Sequence, residues 1–223
     1  MIRDRNTKFI IAGTDTDIGK TVFSAALMLG LEQAGKKPHY WKPIQSGIED
    51  IVDTKRVQQL TNLCDYRFMP EKYIFSEPKS PHRAAELDNI EIDMKEMREH
   101  PDIIPQCDGT LIIEGAGGLM VPLTRENLQI NLYKKWNFPI ILCARTALGT
   151  INHTLLSLEA LWSRGMPIHG LVFIGEENYD NMRTIAEFSD VKILGHLPFI
   201  DPLDDTMLRL TFANNFNIKD FIE

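Results

Sequence analysis

Cysteine is scarce in this chain: 3 residues in 223, at Cys64, Cys107 and Cys143. Their odd number and wide spacing fit neither a disulfide framework nor a zinc site. The expectation is reduced, mostly buried thiols in a cytoplasmic protein. No apolar run approaches the ~20 residues that span a bilayer, and Met1-Ile2-Arg3-Asp4-Arg5-Asn6 lacks the apolar core of a signal peptide, so no membrane association is expected. No Lys/Arg block is long enough to track a phosphate backbone, and the net charge is −7, which argues against nucleic acid as a partner. The acidic balance mainly implies solubility. Internal repeats and low-complexity tracts are also lacking. What is present is ordinary globular composition, 43% hydrophobic and 25% charged. That is enough for one large core, so residues 1–223 are expected to form a single domain.

Short apolar runs alternate with helical patterns along the whole length. The runs are Lys8–Ala12, His39–Lys42, Thr110–Glu114, Ile140–Ala144, Ile168–Ile174 and Lys192–Leu197. Several are apolar throughout, as in strands buried on both faces of a parallel sheet. Helices are predicted over Val22–Ala34, closed by Gly35, and over Thr54–Leu63, with Asp53 as N-cap. Ile92–His100, stopping at Pro101, Asn127–Trp136, Ile151–Arg164 and Tyr179–Phe188 follow. In Ile151–Arg164, the residues Leu155, Leu158, Leu161 and Trp162 share one stripe. This alternation predicts an α/β fold: a doubly wound, mainly parallel sheet flanked by helices. Such sheets bind ligands at the carboxyl ends of their strands.

Four strand ends carry polar residues. After the first comes Gly13-Thr14-Asp15-Thr16-Asp17-Ile18-Gly19-Lys20-Thr21. A strand, a glycine-bounded loop, Lys-Thr and a helix form a phosphate cradle: backbone N–H groups and a helix N-terminus face the anion, Lys20 adds a point charge and Thr21 a magnesium ligand. The spacing is irregular. The position five before the Gly-Lys pair is Thr14, and the glycine stands one step earlier at Gly13. The strand-loop-helix context favours a variant loop over coincidence. The second strand is followed by Lys42-Pro43-Ile44-Gln45-Ser46-Gly47, the third by Glu114-Gly115-Ala116-Gly117-Gly118, and the fourth by Leu148-Gly149-Thr150-Ile151-Asn152-His153. Glu114 reads as a solvated acid or as the magnesium carboxylate of a phosphate-loop enzyme, and the glycine-rich turn after it favours the second. Lys42 reads as a surface lysine or, on a strand expected to neighbour the phosphate loop, as a second cation for a reaction that brings two anions together. Asp53 reads equally as a helix cap or as an acid facing magnesium. His82, in the Pro-rich loop Ser76–Ala84, reads as structural or exposed.

Taken together in order and spacing, these segments, with Ser80-Pro81-His82, closely resemble the dethiobiotin synthetase family over about residues 8 to 200. The early glycine is typical of that family. The resemblance implies a phosphate-loop NTPase-type fold and an ATP- and Mg²⁺-dependent ligase. The reaction would join 7,8-diaminononanoate and CO₂ into dethiobiotin, with ADP and phosphate released, in a homodimer. It implies Lys42, Lys20 and Thr16 as catalytic. Thr21, Asp53 and Glu114 match magnesium positions. Asp17, Ile18, Gly19, Lys20, Thr21, Val22, Asp53, Glu114, Gly115, Ala116, Gly117 and Gly118 match nucleotide-binding positions, with Pro198, Phe199 and Ile200 in a later base-contacting loop. Ser46 and Thr16 match positions beside the substrate's amines or carbamate. Leu148, Gly149, Thr150, Ile151 and Asn152 match a segment that reaches the substrate's carboxylate tail across the dimer, and His153 is left as structural.

One departure stands out. Where many relatives end the Leu171-Val172-Phe173 strand in an Asn-Asp pair that reads adenine, this chain has Ile174-Gly175. Weaker discrimination among nucleotides is expected, because a site without polar partners rejects analogues poorly. Three other readings compete. A dimeric switch ATPase often carries an additional lysine near the start of the loop, where Gly13-Thr14 stands here. An amide-forming ligase of cobalamin synthesis needs a glutaminase domain for which this chain is too short. A non-enzymatic nucleotide module leaves Lys42 and Ser46 unexplained.

Overall fold

The computed structural model describes residues 7–48, 51–103 and 109–222. In chain order its elements are β1 (Lys8–Gly13), α1 (Lys20–Gln33), β2 (Pro38–Trp41), β3 (Ile44–Ser46), α2 (Asp53–Thr61), β4 (Phe68–Met69), β5 (Tyr73–Phe75), α3 (Pro81–Leu87) and α4 (Met94–Ile103). They continue as β6 (Thr110–Gly118), α5 (Gln129–Trp136), β7 (Ile140–Arg145), α6 (Thr150–Trp162), β8 (Ile168–Ile174), α7 (Tyr179–Ser189), β9 (Ile193–Leu197), α8 (Asp205–Asn215) and α9 (Lys219–Ile222).

Seven strands form one sheet in the order β4-β2-β6-β1-β7-β8-β9, and each neighbouring pair runs parallel. Parallel neighbours need crossovers, so helices cover both faces. The period-2 alternation of β1 shows the division. Ile10 and Ala12 pack on one side with α5 and α6 through Ile130, Tyr133, Leu158 and Leu161. Phe9 and Ile11 pack on the other with α1 and α8 through Phe23, Leu27, Leu208 and Phe212. Ile10, Ile11 and Leu27 are fully buried, each burial stabilising by roughly 1.5–3 kcal/mol. The expected doubly wound α/β architecture is therefore what the chain adopts. β3 and β5 form a separate parallel pair beside the main sheet.

Several local expectations are revised. Lys42 does not lie on a neighbour of β1: β6 intervenes between β2 and β1. The register Trp41↔Ile113 then brings Lys42 beside Glu114. The segment Glu114–Gly118 is not a turn but the end of β6, with Gly118 paired to Gly13. Pro101 does not end its helix, since α4 runs to Ile103. Proline lacks the N–H that would bond the carbonyl four residues back, and that carbonyl, on Met97, accepts Trp136 Nε1–H at 3.1 Å. Trp162 leaves the apolar stripe of α6 and is exposed, whereas Leu158 and Leu161 are buried. Cys64 is exposed and Cys143 buried, both as free thiols; Cys107 lies outside the described residues. Gly35 closes α1 as expected: Lys36 N–H bonds Leu31 O and Gly35 N–H bonds Glu32 O, the paired bonds that terminate a helix at a left-handed glycine. Among the described residues no helix is long and apolar enough to cross a membrane.

Candidate active site

The four polar strand ends of the sequence belong to β2, β6, β1 and β7, which are adjacent at the centre of the sheet. Their loops therefore meet at one edge. The loop after β1 turns tightly through Asp17 (φ 53°) and Gly19 (φ 95°) into α1. Gly13 admits no side chain, because a Cβ there would lie 2.8 Å from Asp15 O and 2.9 Å from Lys20 Nζ. The early glycine thus lets Lys20 fold back over the loop, where its ammonium donates to Asp15 O at 3.0 Å. Arg145, at the end of β7, holds the Asp15 carboxylate at 2.6 Å, and the same carboxylate accepts Thr16 N–H at 2.8 Å.

A cavity of about 620 Å³ opens beside this loop. It gathers Thr16, Asp17, Ile18, Gly19, Lys20, Thr21, Lys42, Ser46, Asp53, Glu114, Ala116 and Gly117 from the expected site residues. Glu114 is its anchor, a carboxylate only 1% exposed. Its Oε1 accepts from Thr21 Oγ1 at 2.9 Å and from Lys42 Nζ at 3.2 Å. Its Oε2 accepts from Ser24 Oγ and Tyr40 OH, both at 3.0 Å. A buried charge is tolerable when its lone pairs are satisfied in this way. Asp53 is the first residue of α2 and caps nothing; Val52 stands at the cap position. The Asp53 carboxylate instead pairs with Lys42 and lies 3.1 Å from Thr21 Oγ1. Gln45 steadies this corner, donating to Ser46 O and Gly47 O at 3.3 and 3.1 Å and accepting from Asp53 N–H at 3.4 Å.

The two lysines have opposite electrostatics. Burial pushes Lys20 down, with Glu114 offsetting part of that effect, and its net shift is below the usual lysine value. Burial would also lower Lys42, but Glu114 and Asp53 outweigh it and raise Lys42 above the ordinary range. Lys42 is thus a firmly held cation. Ser46 Oγ, buried at the wall, has no partner. Thr21, Asp53 and Glu114 supply hard oxygen donors. Among the described residues no three His, Cys, Asp or Glu side chains gather into a metal cage. One or two carboxylates completed by phosphate and water is how magnesium is usually held, so the donor set fits that ion.

A second cavity of about 550 Å³ shares Asp17, Ile18 and Gly19 with the first and is walled by Val22, Ile174, Leu197, Pro198, Phe199, Ile200 and Leu203. It brings Pro198–Ile200 beside the phosphate loop. Ile174 packs against Gly19, whose Cβ would lie 2.8 Å from Ile174 Cγ2. The neighbouring Asn178 side chain is engaged in capping α7 through Asn181 N–H. A third cavity of about 520 Å³ lies beyond Thr14, Asp15 and Thr16 and includes Gly118 and His153. His153 is exposed rather than packed. The segment 148–152 lines none of these cavities, and Leu148 is fully exposed. Gly115 faces away, toward Tyr133. His82 is half-buried outside all three cavities, its N–H donating to Pro122 O at 3.3 Å. Sequence motifs give no sign of Ser24, Tyr40 and Gln129, and Gln45 falls inside a quoted motif without a role assigned to it. The Gln129 amide is buried and clamps Ala116 N–H at 2.9 Å and Gly118 O at 3.1 Å. A hydroxyl inside an apolar helix or strand carries no signal until the partner strand is known.

An AAA-domain family profile matches residues 7–207. The chain is 50% identical over 216 residues to the ATP-dependent dethiobiotin synthetase BioD of Agrobacterium fabrum, with 97% of each chain covered. It is 48% identical over 218 residues to the enzyme of that name from Nitrobacter hamburgensis, with 98% of each covered. This chain belongs to the dethiobiotin synthetase family. Its fold is shared more widely. The septum site-determining protein MinD of Pyrococcus horikoshii, solved with Mg-ADP, superposes with a TM-score of 0.57 at 13% identity, covering 93% of this chain and 95% of that one. The MinC:MinD complex of Aquifex aeolicus gives 0.56 at 10% identity, covering 92% and 86%. These likenesses establish the phosphate-loop fold of this dethiobiotin synthetase family member.

Proposed function

We propose that this chain joins 7,8-diaminononanoate and CO₂ to form dethiobiotin, with ATP converted to ADP and phosphate. The observation that carries the reading is the single cavity in which Lys20, Lys42, Thr21, Asp53 and Glu114 converge. The names of the full-length relatives support it.

An amine of the substrate takes up CO₂ and loses a proton to give a carbamate. The carbamate oxygen then attacks the γ-phosphorus, ADP departs, and a carbamic-phosphoric anhydride remains. The second amine attacks the carbonyl carbon, phosphate leaves with the electron pair, the amine's proton passes to phosphate or solvent, and the ureido ring closes. The phosphoryl step brings two anions together, and two unit charges ~4 Å apart repel by about 4 kcal/mol at a near-surface dielectric. Lys20 and Lys42 offset that repulsion and stabilise charge on the transferring oxygens. Thr21, Asp53 and Glu114 would hold magnesium, which supplies further positive charge against the phosphates. Ser46 Oγ and Thr16 face the diamine side. The apolar second cavity takes the base by packing. Exposed Met120 and Leu156 line the third cavity, and Leu148 is exposed at the start of the 148–152 segment. A second copy of the chain covering them would place the 148–152 segment and the N-terminus of α6 against the substrate's carboxylate in a homodimer.

The deciding assay supplies the diamine, bicarbonate, Mg²⁺ and ATP and measures dethiobiotin by mass. Formation of dethiobiotin with equimolar ADP is expected. ATP hydrolysis that ignores the diamine would point to a switch ATPase instead.

A further inference from the structure

Each of the two carboxylates gives one oxygen to Lys42, while Asp53 Oδ1 accepts from Thr21 Oγ1 at 3.1 Å. Lys42 Nζ bonds Asp53 Oδ2 and lies 3.2 Å from Glu114 Oε1. The other Glu114 oxygen cannot serve as an alternative, because Ser24 and Tyr40, both fully buried, each donate to Oε2 at 3.0 Å. Any divalent ion that uses Glu114 and Asp53 therefore comes to rest beside the Lys42 ammonium, and a dication so close to it is met by strong repulsion.

We propose that Lys42 is a resident counter-cation, which offsets part of the charge of Asp53 and Glu114 until a divalent ion displaces its ammonium into the cavity. The idea rests on the magnesium positions proposed above. Removing one partner from a buried ion pair leaves an uncompensated charge, so the lysine keeps the corner folded while the metal is absent. Displacement then frees the ammonium on the side of the cavity that holds the unpartnered Ser46 hydroxyl. Metal loading and delivery of the second cation to the reacting carbamate become one event.

The test is Mn²⁺ binding to the nucleotide-free protein, followed by electron paramagnetic resonance. Lys42→Met is expected to bind Mn²⁺ at least tenfold more tightly than the parent; equal or weaker binding overturns the exchange. Should that variant fold poorly, the intact parent gives the same answer. Pulsed reductive methylation, mapped by peptide mass, is expected to label Lys42 at least threefold faster with Mg-ADP than with ADP and EDTA. Unchanged or slower labelling overturns the idea. Dethiobiotin formation by the parent is measured separately. Tighter Mn²⁺ binding in a protein that makes no dethiobiotin supports the exchange and removes only the proposed reaction.

Discussion

Two cavities share the turn Asp17-Ile18-Gly19 and differ in almost everything else. On one side, Lys20, Lys42, Thr21, Asp53 and Glu114 crowd charge into a partly enclosed space. On the other, Val22, Ile174, Leu197, Phe199, Ile200 and Leu203 present hydrocarbon. The first side is built from interlocking charges, in which each group needs its partner. The second is built mainly from shape, although Arg145, Thr146, Glu176, Glu177 and Asn178 also line it. The first should therefore be intolerant of change and selective, and the second tolerant and permissive.

The largest test of that contrast is Lys42→Ala. Loss of one preorganised cation should lower the rate of dethiobiotin formation by about 10²–10³-fold, measured in single turnover with ADP affinity as control. A normal rate would remove Lys42 from the chemistry. Next comes Tyr40→Phe, which keeps the ring and deletes the hydroxyl that donates to Glu114 Oε2. It should lose about 1–3 kcal/mol of stability in urea, the cost of a buried acceptor left short of a donor. On the apolar side, kcat/KM for GTP and CTP should stay within about tenfold of ATP, because one-sided packing discriminates weakly. Strong preference for ATP would show that the second cavity reads the base by groups other than the residue at Ile174.

The smallest effect lies at the far end of the sheet, where His169 at the start of β8 packs tilted against Phe9 with centroids 4.7 Å apart. Burial lowers its pKa below 6.5, partly opposed by the bond to Asp220 O. The folded state thus prefers the neutral ring. Stability is complete above pH 6.5 and falls below it, as the unfolded chain takes up the proton first. Replacing His169 with Phe should flatten that slope in acid unfolding curves without changing dethiobiotin formation, which separates the scaffold from both cavities.

Much of this architecture is legible in the residues themselves. The runs at Lys8–Ala12, Ile140–Ala144 and Ile168–Ile174 are strands because their apolar stretches, Phe9–Ala12, Ile140–Ala144 and Gly170–Ile174, suit a sheet buried on both faces. The elements that leave no clear signal are short or weakly patterned. β3 and β5 have three residues each and β4 has two, too few for periodicity to register. Pro101 misleads because its helix accommodates the missing N–H through Trp136, a residue far away in sequence. Asp53 looks like a cap because capping is a local rule, and the ion pair that holds its carboxylate is not local.

The sequence alone determined the class of fold, the phosphate loop and its early glycine, and the family. Each is written in contiguous residues, whose spacing and polarity act through local backbone geometry. Only the tertiary structure decided that β6 separates Lys42 from the loop, that Glu114 is gripped from behind by Ser24 and Tyr40, and that Lys42 lies between Asp53 and Glu114. Strand order and register set which buried groups meet. In a low-dielectric interior those meetings fix the energy of every charge, and nothing in a linear chain states them.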